Sequence, residues 1–247
     1  MAFGILDEEE REFVVLLGDP LYKGFDTTGE RVKLAEARLL APVIPRSKVV
    51  AVGKNYREHA AEMGGVLPTE PLLFLKPNTA VIGPGDAIVL PPQSHRVDHE
   101  GELAVVVGAV AKNVRAEDAA SVIFGYTVAN DVTARDLQRS DLQWARAKGF
   151  DTFCPLGPVI STELDVARTT VETRVNGELR QSGQTADLIH TIPKIVEYAS
   201  SVWTLLPGDV ILTGTPAGVG PLTDGDTVEV SISGIGTLSN PVRGPQA

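Results

Sequence analysis

Apolar positions along this chain fall into short runs, mostly roughly four to eight residues long. Glycine, proline, asparagine and aspartate break them, as in "IGPGDAIVLPP", "TFCPLGPVI", "LPGDVILTGTPAGVG" and "DGDTVEVSISGIG". Val, Ile and Thr are plentiful in these runs, and β-branched segments closed by turn residues predict strands, antiparallel or mixed in pairing. In "TRVNGELRQ", Asn176-Gly177 between two strand-like arms predicts a two-residue hairpin turn.

Helical spacing is rarer. It marks "NYREHAAEMG", with Asn55 as cap, Glu58 at the third position and Gly64-Gly65 as the stop. It also marks "RAEDAASVI", "TARDLQRSDLQWARAKG" and "TADLIHTIPKIVEYASSVW", where Leu188, Ile192, Ile195 and Val196 recur on one face. The prediction is an α+β, strand-dominated fold with short peripheral helices. A hairpin-like pair in "EFVVLLGDPLYKGF", followed by two prolines ending at Pro45, suggests a small N-terminal unit over residues 1–45 and a larger domain over 46–247.

With 247 residues, 43% of them hydrophobic and 22% charged, the chain can bury a sizeable core and is not of disordered composition. The net charge of −10 argues against a nucleic-acid groove or an anionic membrane surface, and a small anionic ligand would need a metal or local basic residues. Cys154, the one cysteine, excludes an intramolecular disulfide and a cysteine zinc cluster, and fits a reducing compartment. No apolar run approaches the roughly 18 residues of a membrane span, and "MAFGILDEEEREF" lacks a secretory pattern, so a cytoplasmic location is expected.

Chemistry enters at "DHEGELAVVVG". In an extended strand Glu100 and Glu102 point the same way, and two buried carboxylates on one face repel unless a cation or a proton sits between them. Hard oxygen ligands of this kind suit Mg²⁺ or Mn²⁺, and Asp131 in "GYTVANDVTARD" offers a third. The plainer alternative stays open: a solvated edge strand, with Asp131 as a helix N-cap.

His59 and Glu62, three apart, share a helix face, so the carboxylate can orient the imidazole as a general base on a lid-like helix; a plain surface helix is the alternative. His95, His99 and His190 lack such partners and read as structural, and Cys154 reads as a small hydrophobe. "LTGTPAGVGPL" exposes backbone N–H groups and the Thr213 and Thr215 hydroxyls as an anion-binding turn can, or is simply a wide turn.

Together "VGKNYREHAAEMG", "LFLKPNTAVIGPGDAIVLP", "VDHEGELAVVVG", "GYTVANDVTARDLQ", "KGFDTFCPLGPVI", "VNGELRQ" and "LLPGDVILTGTPAGVGPL" resemble the fumarylacetoacetate hydrolase family in content and order, from about residue 48 to 242. The resemblance implies a mixed-sheet β-roll catalytic domain, commonly dimeric, with Mg²⁺ or Mn²⁺ on Glu100, Glu102 and Asp131. It further implies an active-site lysine at Lys148, a lid dyad at His59 and Glu62, and substrate contacts at Thr215, Arg135 and Gln138. The substrate implied is a small anionic 2-oxo acid, and the reaction oxaloacetate decarboxylation or acylpyruvate hydrolysis through an enolate. The alternative is a 2-hydroxyhepta-2,4-diene-1,7-dioate isomerase or 5-oxopent-3-ene-1,2,5-tricarboxylate decarboxylase. A metal-binding sensor without catalysis would have little use for a base on a lid.

Overall fold

The computed structural model describes residues 1–62 and 67–245, and its contacts divide the chain into two units, Met1–Leu39 and Leu40–Ala247. The expected helix stop at Gly64-Gly65 lies outside the described residues. The first unit holds β1 (Gly4–Asp7), β2 (Glu12–Leu16), a one-turn helix α1 (Pro20–Lys23) and β3 (Thr27–Lys33), in an antiparallel sheet of order β1-β2-β3. Where the sequence suggests a hairpin, a third strand joins. α1 starts at "DP": the Asp19 carboxylate accepts from Leu21 N (3.0 Å), and Pro20 occupies a first-turn position.

The second unit runs β4 (Val49–Gly53), α2 (Arg57–Glu62), β5 (Leu72–Lys76), β6 (Val81–Ile82), β7 (Ile88–Val89), β8 (Val97–His99), β9 (Gly101–Val107), β10 (Ile123–Asn130) and β11 (Thr133–Ala134). It continues with α3 (Arg135–Ser140), α4 (Ala145–Gly149), β12 (Cys154–Ser161), β13 (Thr170–Val175), β14 (Glu178–Gln184), α5 (Ile192–Val202), β15 (Val210–Leu212), β16 (Gly220–Leu222), β17 (Thr227–Ile232) and β18 (Gly236–Arg243). Three sheets result: a seven-stranded one ordered β5-β4-β15-β9-β10-β12-β6, a five-stranded one ordered β14-β13-β17-β18-β7, and a three-stranded one ordered β11-β8-β16. Pairing is antiparallel except at β4/β15, β6/β12 and β7/β18. The strand-dominated α+β class with short helices is as the sequence predicts.

β9 lies in the middle of the seven-stranded sheet with every residue buried, which explains its unbroken apolar run "LAVVV". Leu103, Val105 and Val107 join Val50, Val52, Val128 and Ile211 in a core closed by Ile195 and Val196 of α5 and by Val171, Val230 and Ile232 of the five-stranded sheet. Full burial of such side chains contributes about 1.5–3 kcal/mol each. The Asn176-Gly177 turn joins β13 to β14 with φ of 52° and 79°, the doubly positive geometry that its sequence favours.

Several helical expectations are corrected. α5 begins only at Ile192, because Pro193 suits a first turn and not a helix interior; Leu188, expected on its apolar face, instead bridges to Tyr56. "TARDLQRSDLQWARAKG" breaks into α3 and α4 around Asp141, which accepts two hydrogen bonds from Arg146 (2.6 and 2.9 Å). "RAEDAASV" forms a 3-10 helix over Ala116–Val122. Asn55 does not cap α2. Its amide donates to His190 O (3.0 Å) and Thr213 O (2.7 Å) and accepts from His190 N (2.8 Å), fastening the entry to α2 onto the segments before α5 and after β15.

Candidate active site

β9 and β10 pair antiparallel with Asn130 opposite Gly101 and Ala129 opposite Glu102, while β8 and β11 pair with Thr133 opposite Asp98. The same register therefore places Asp131 opposite Glu100, where both chains leave one sheet for the other, and Asp131 N donates to Glu100 O (2.8 Å). Directly opposed carboxylates repel, and Glu102, two residues along the same face, adds a third. One carboxylate oxygen from each of Glu100, Glu102 and Asp131 lies within 4.8 Å of the others, and all three residues are buried. The alternatives of a solvated edge strand and an N-cap are thereby set aside: β9 is central, and α3 starts at Arg135 behind Ala134.

Three cations hold this acid cluster. Lys148 on α4 donates to Glu100 Oε2 (2.7 Å) and Asp131 Oδ2 (2.6 Å). Arg135 donates from Nη2 to Glu100 Oε1 (2.6 Å), from Nε to Asp98 Oδ2 (2.9 Å) and from Nη1 to Gln138 Oε1 (2.7 Å). Lys76, at the end of β5, donates to Asp131 Oδ1 (2.5 Å). Lys76 escaped the sequence reading; a lysine closing the apolar run "LLFLK" was the available signal. Asp98, the orienting partner of Arg135, was likewise not singled out in the sequence.

The charges are unevenly shared. Burial opposes ionisation of Glu100, but Lys148 and Arg135 outweigh it and hold the carboxyl far below the usual carboxylate range. Burial likewise opposes the Lys148 ammonium, yet Asp131 and Glu100 raise its pKa, so it is a donor at neutral pH. Glu102 goes the other way. Burial, then Asp131 and Glu100, push its carboxyl well above the ordinary value, with only Gly214 N donating to it (2.6 Å). Gly214 has φ 107°, and a Cβ there would stand 2.7 Å from Asn55 Cβ, so the turn that offers this N–H needs glycine. Three buried hard-oxygen donors, one of them short of positive charge, fit a divalent cation.

His59 of α2 is 4% exposed rather than on an open surface, and its Nδ1 lies 3.2 Å from Glu62 Oε2, which also accepts from Gly218 N (3.3 Å). His59, Glu100, Arg135, Gln138 and Lys148 line one cavity of about 130 Å³, together with Gly53, Lys54, Arg139 and Trp144. Thr215 is not among its lining residues. Its hydroxyl donates to Gly101 O (2.8 Å) and accepts from Gln181 Nε2 (2.7 Å), while the Thr213 hydroxyl donates to Leu103 O (2.8 Å). The expected pair of exposed hydroxyls is thus spent inside the fold.

Gln181 of β14 is the further residue that the sequence reading missed. Its Oε1 accepts from Gly101 N (3.0 Å) and lies 3.1 Å from His99 Nδ1, and its amide also donates to Pro216 O (2.7 Å). It ties the acid-bearing strand to the "GTP" turn. His95, paired with Asp136 (2.9 Å), and His190, tied to Asn55, have structural partners, and Cys154 is fully buried.

A family model described as fumarylacetoacetate (FAA) hydrolase C-terminal matches residues 48–243, and one described as Rv2993c-like, N-terminal, matches residues 1–42. A solved structure of 5-carboxymethyl-2-hydroxymuconate delta-isomerase from Mycobacterium smegmatis is 54% identical, with TM-score 0.90, covering 100% of this chain and 95% of that one. Oxaloacetate tautomerase YisK of Bacillus subtilis is 45% identical over 227 residues, 84% of this chain and 74% of that protein. A structure of maleylpyruvate hydrolase from Sphingobium sp. SYK-6 in complex with manganese(II) and pyruvate is 39% identical, with TM-score 0.76, covering 88% and 78%. Among the described residues no helix is long and apolar enough to cross a membrane.

Proposed function

The chain belongs to the fumarylacetoacetate hydrolase family, and from that premise we propose that it is a divalent-metal-dependent enzyme that forms an enolate from a small 2-oxo acid. The observation that carries the reading is the convergence of Glu100, Glu102 and Asp131 beside Lys148, Arg135 and His59. Glu100, Glu102 and Asp131 would hold Mg²⁺ or Mn²⁺. When bound, the cation supplies a Lewis acid that draws electron density from the keto oxygen of the substrate.

The chain's own residues supply the rest. Arg135, its guanidinium fixed by Asp98, and Gln138 bind and orient the 2-oxo acid end. Lys148, kept protonated, places positive charge beside the oxygen on which negative charge develops. It cannot then serve as the base, which leaves His59: with Nδ1–H donated to Glu62, Nε2 is free to take a proton from the carbon next to the keto group. Returning that proton interconverts keto and enol forms, the activity named for the tautomerase relative.

C–C cleavage is the second reading, favoured by the His59–Glu62 pair. The same base can deprotonate water for attack on the distal carbonyl of an acylpyruvate, whose C–C bond then breaks to a carboxylic acid and the enolate of pyruvate, and oxaloacetate reaches that pyruvate enolate by losing CO₂. Isomerisation of 2-hydroxyhepta-2,4-diene-1,7-dioate is the runner-up, as in the name of a similar Mycobacterium marinum structure.

The deciding experiment follows oxaloacetate by ultraviolet absorbance and pyruvate by a coupled assay, with Mg²⁺ or Mn²⁺, alongside acylpyruvates and the unsaturated dioate. Enol–keto exchange without pyruvate selects tautomerisation, and pyruvate release selects cleavage. A preference for the dioate of about tenfold or more, roughly 1.4 kcal/mol, selects the isomerase. Glu102→Ala is expected to lose both metal binding and turnover, and His59→Ala about 10²–10⁴-fold in kcat. Full activity of Glu102→Ala sinks the proposal.

A further inference from the structure

The cations of this cavity fall into two groups. Arg135 and Lys148 are tied to Glu100, and Arg135 also to Asp98, deep in the site. Lys54, at the end of β4, and Arg139, on α3, line the same cavity, and neither has an ion-pair or hydrogen-bond partner among the described residues. In a chain carrying a net charge of −10, two unspent cations lining one cavity are not explained by folding. Lys54 moreover sits at φ 56°, a left-handed conformation that is strained for a non-glycine residue and that glycine would adopt freely.

An aromatic side chain, Trp144, lines the same cavity. Trp144 packs edge-on against Phe74, with ring centroids 5.4 Å apart at 77°. A Cβ on Gly53 would lie 2.8 Å from the Trp144 ring, so the bare backbone of Gly53 lets the indole lie close. The cavity thus offers, in one space, a site for a 2-oxo acid end, a flat apolar stretch for a short carbon chain, and two free positive charges.

We propose that Lys54 and Arg139 are specificity-determining residues that bind a second carboxylate, at the far end of the substrate. The assignment rests on the 2-oxo acid reading above and narrows it to dicarboxylic 2-oxo acids over their monocarboxylic counterparts. The Arg139 guanidinium suits a bidentate carboxylate contact, and the Lys54 ammonium adds a point charge beside it.

The test compares the wild type with Arg139→Gln, Lys54→Gly and the double variant, all loaded with Mn²⁺. Lys54→Gly removes the charge while keeping a backbone that glycine adopts without strain. Binding is read by calorimetry with 3,3-difluorooxaloacetate, which has no proton at C3 and so cannot enolise there, and with 2-oxobutanoate. Catalysis is read as the ratio of kcat/KM for oxaloacetate over that for 2-oxobutanoate, the enolisation of the latter being followed by loss of C3 deuterium.

The expected result is a wild-type preference for the dicarboxylate in both readouts that falls by about tenfold in each single variant and further in the double one. Binding of both ligands with an unchanged ratio in the double variant overturns the subsite and leaves the 2-oxo acid reading standing. Failure of the wild type to bind or turn over any 2-oxo acid overturns both.

Discussion

Lys76, which is not among the residues lining the cavity, holds Asp131 with its Nζ 2.5 Å from Oδ1 and no solvent exposure on its side chain. Lys148 takes Oδ2 of the same carboxylate at 2.6 Å, so each Asp131 oxygen is paired with a different lysine. The Asp131 orientation is therefore set by a residue that does not line the cavity.

Lys76→Met keeps most of the side-chain volume and removes the charge, leaving a buried acid short of one partner. The expected loss in unfolding free energy is about 3–5 kcal/mol. Mn²⁺ affinity should fall with it, and Lys76→Arg should recover part of both. Denaturant titrations that place Lys76→Met within about 1 kcal/mol of the wild type would refute the positioning role.

Glu102 gives the protein a pH dependence whose sign follows from its raised pKa. Below the ordinary value of 4.5 both the folded and the unfolded chain keep the proton and nothing is lost. As pH rises above that value the unfolded chain releases the proton while the fold retains it, so stability declines until the folded pKa is passed. The metal-free protein is thus expected to lose thermal stability relative to Glu102→Gln as pH rises above the ordinary carboxyl value of 4.5, and Mg²⁺ or Mn²⁺ to reduce the gap. A gap that narrows as pH rises contradicts this assignment.

Burial pushes the Cys154 thiol up to about 12. At pH 8 the native protein should resist iodoacetamide, and the label should appear only when the chain unfolds. Mass spectrometry of samples treated with and without denaturant checks this, and rapid native labelling would count against the burial described.

Local pattern carried far in this chain. Alternation, turn chemistry and β-branched runs announced a strand-rich fold, and Asn176-Gly177 announced its hairpin down to the φ values. The helices were less legible because helical spacing persists through Pro193 and Asp141, where backbone chemistry ends a helix regardless of the apolar pattern. In the site, Glu100 and Glu102 were readable as a same-face pair from strand geometry alone. Their opposition to Asp131 depends on a strand register that spans a long connection, which no local signal encodes. Lys76 and Gln181 were hidden for a related reason: each comes from a distant strand and acquires its meaning from what the sheets bring next to it. Thr215, implied as a substrate contact by the family resemblance, donates to Gly101 O and accepts from Gln181, partners that no local signal encodes.

Glu100 and Asp131 lie where two paired strands cross from the seven-stranded to the three-stranded sheet. Neither sheet by itself frames the acid cluster; the crossing does. The Mg²⁺ or Mn²⁺ binding proposed for this seam would consequently gauge assembly: a partly folded chain with only one sheet in place would present scattered acids of weak affinity. Tight binding would require both sheets locked into a common register, so the timing of Mn²⁺ uptake during refolding would date that docking event.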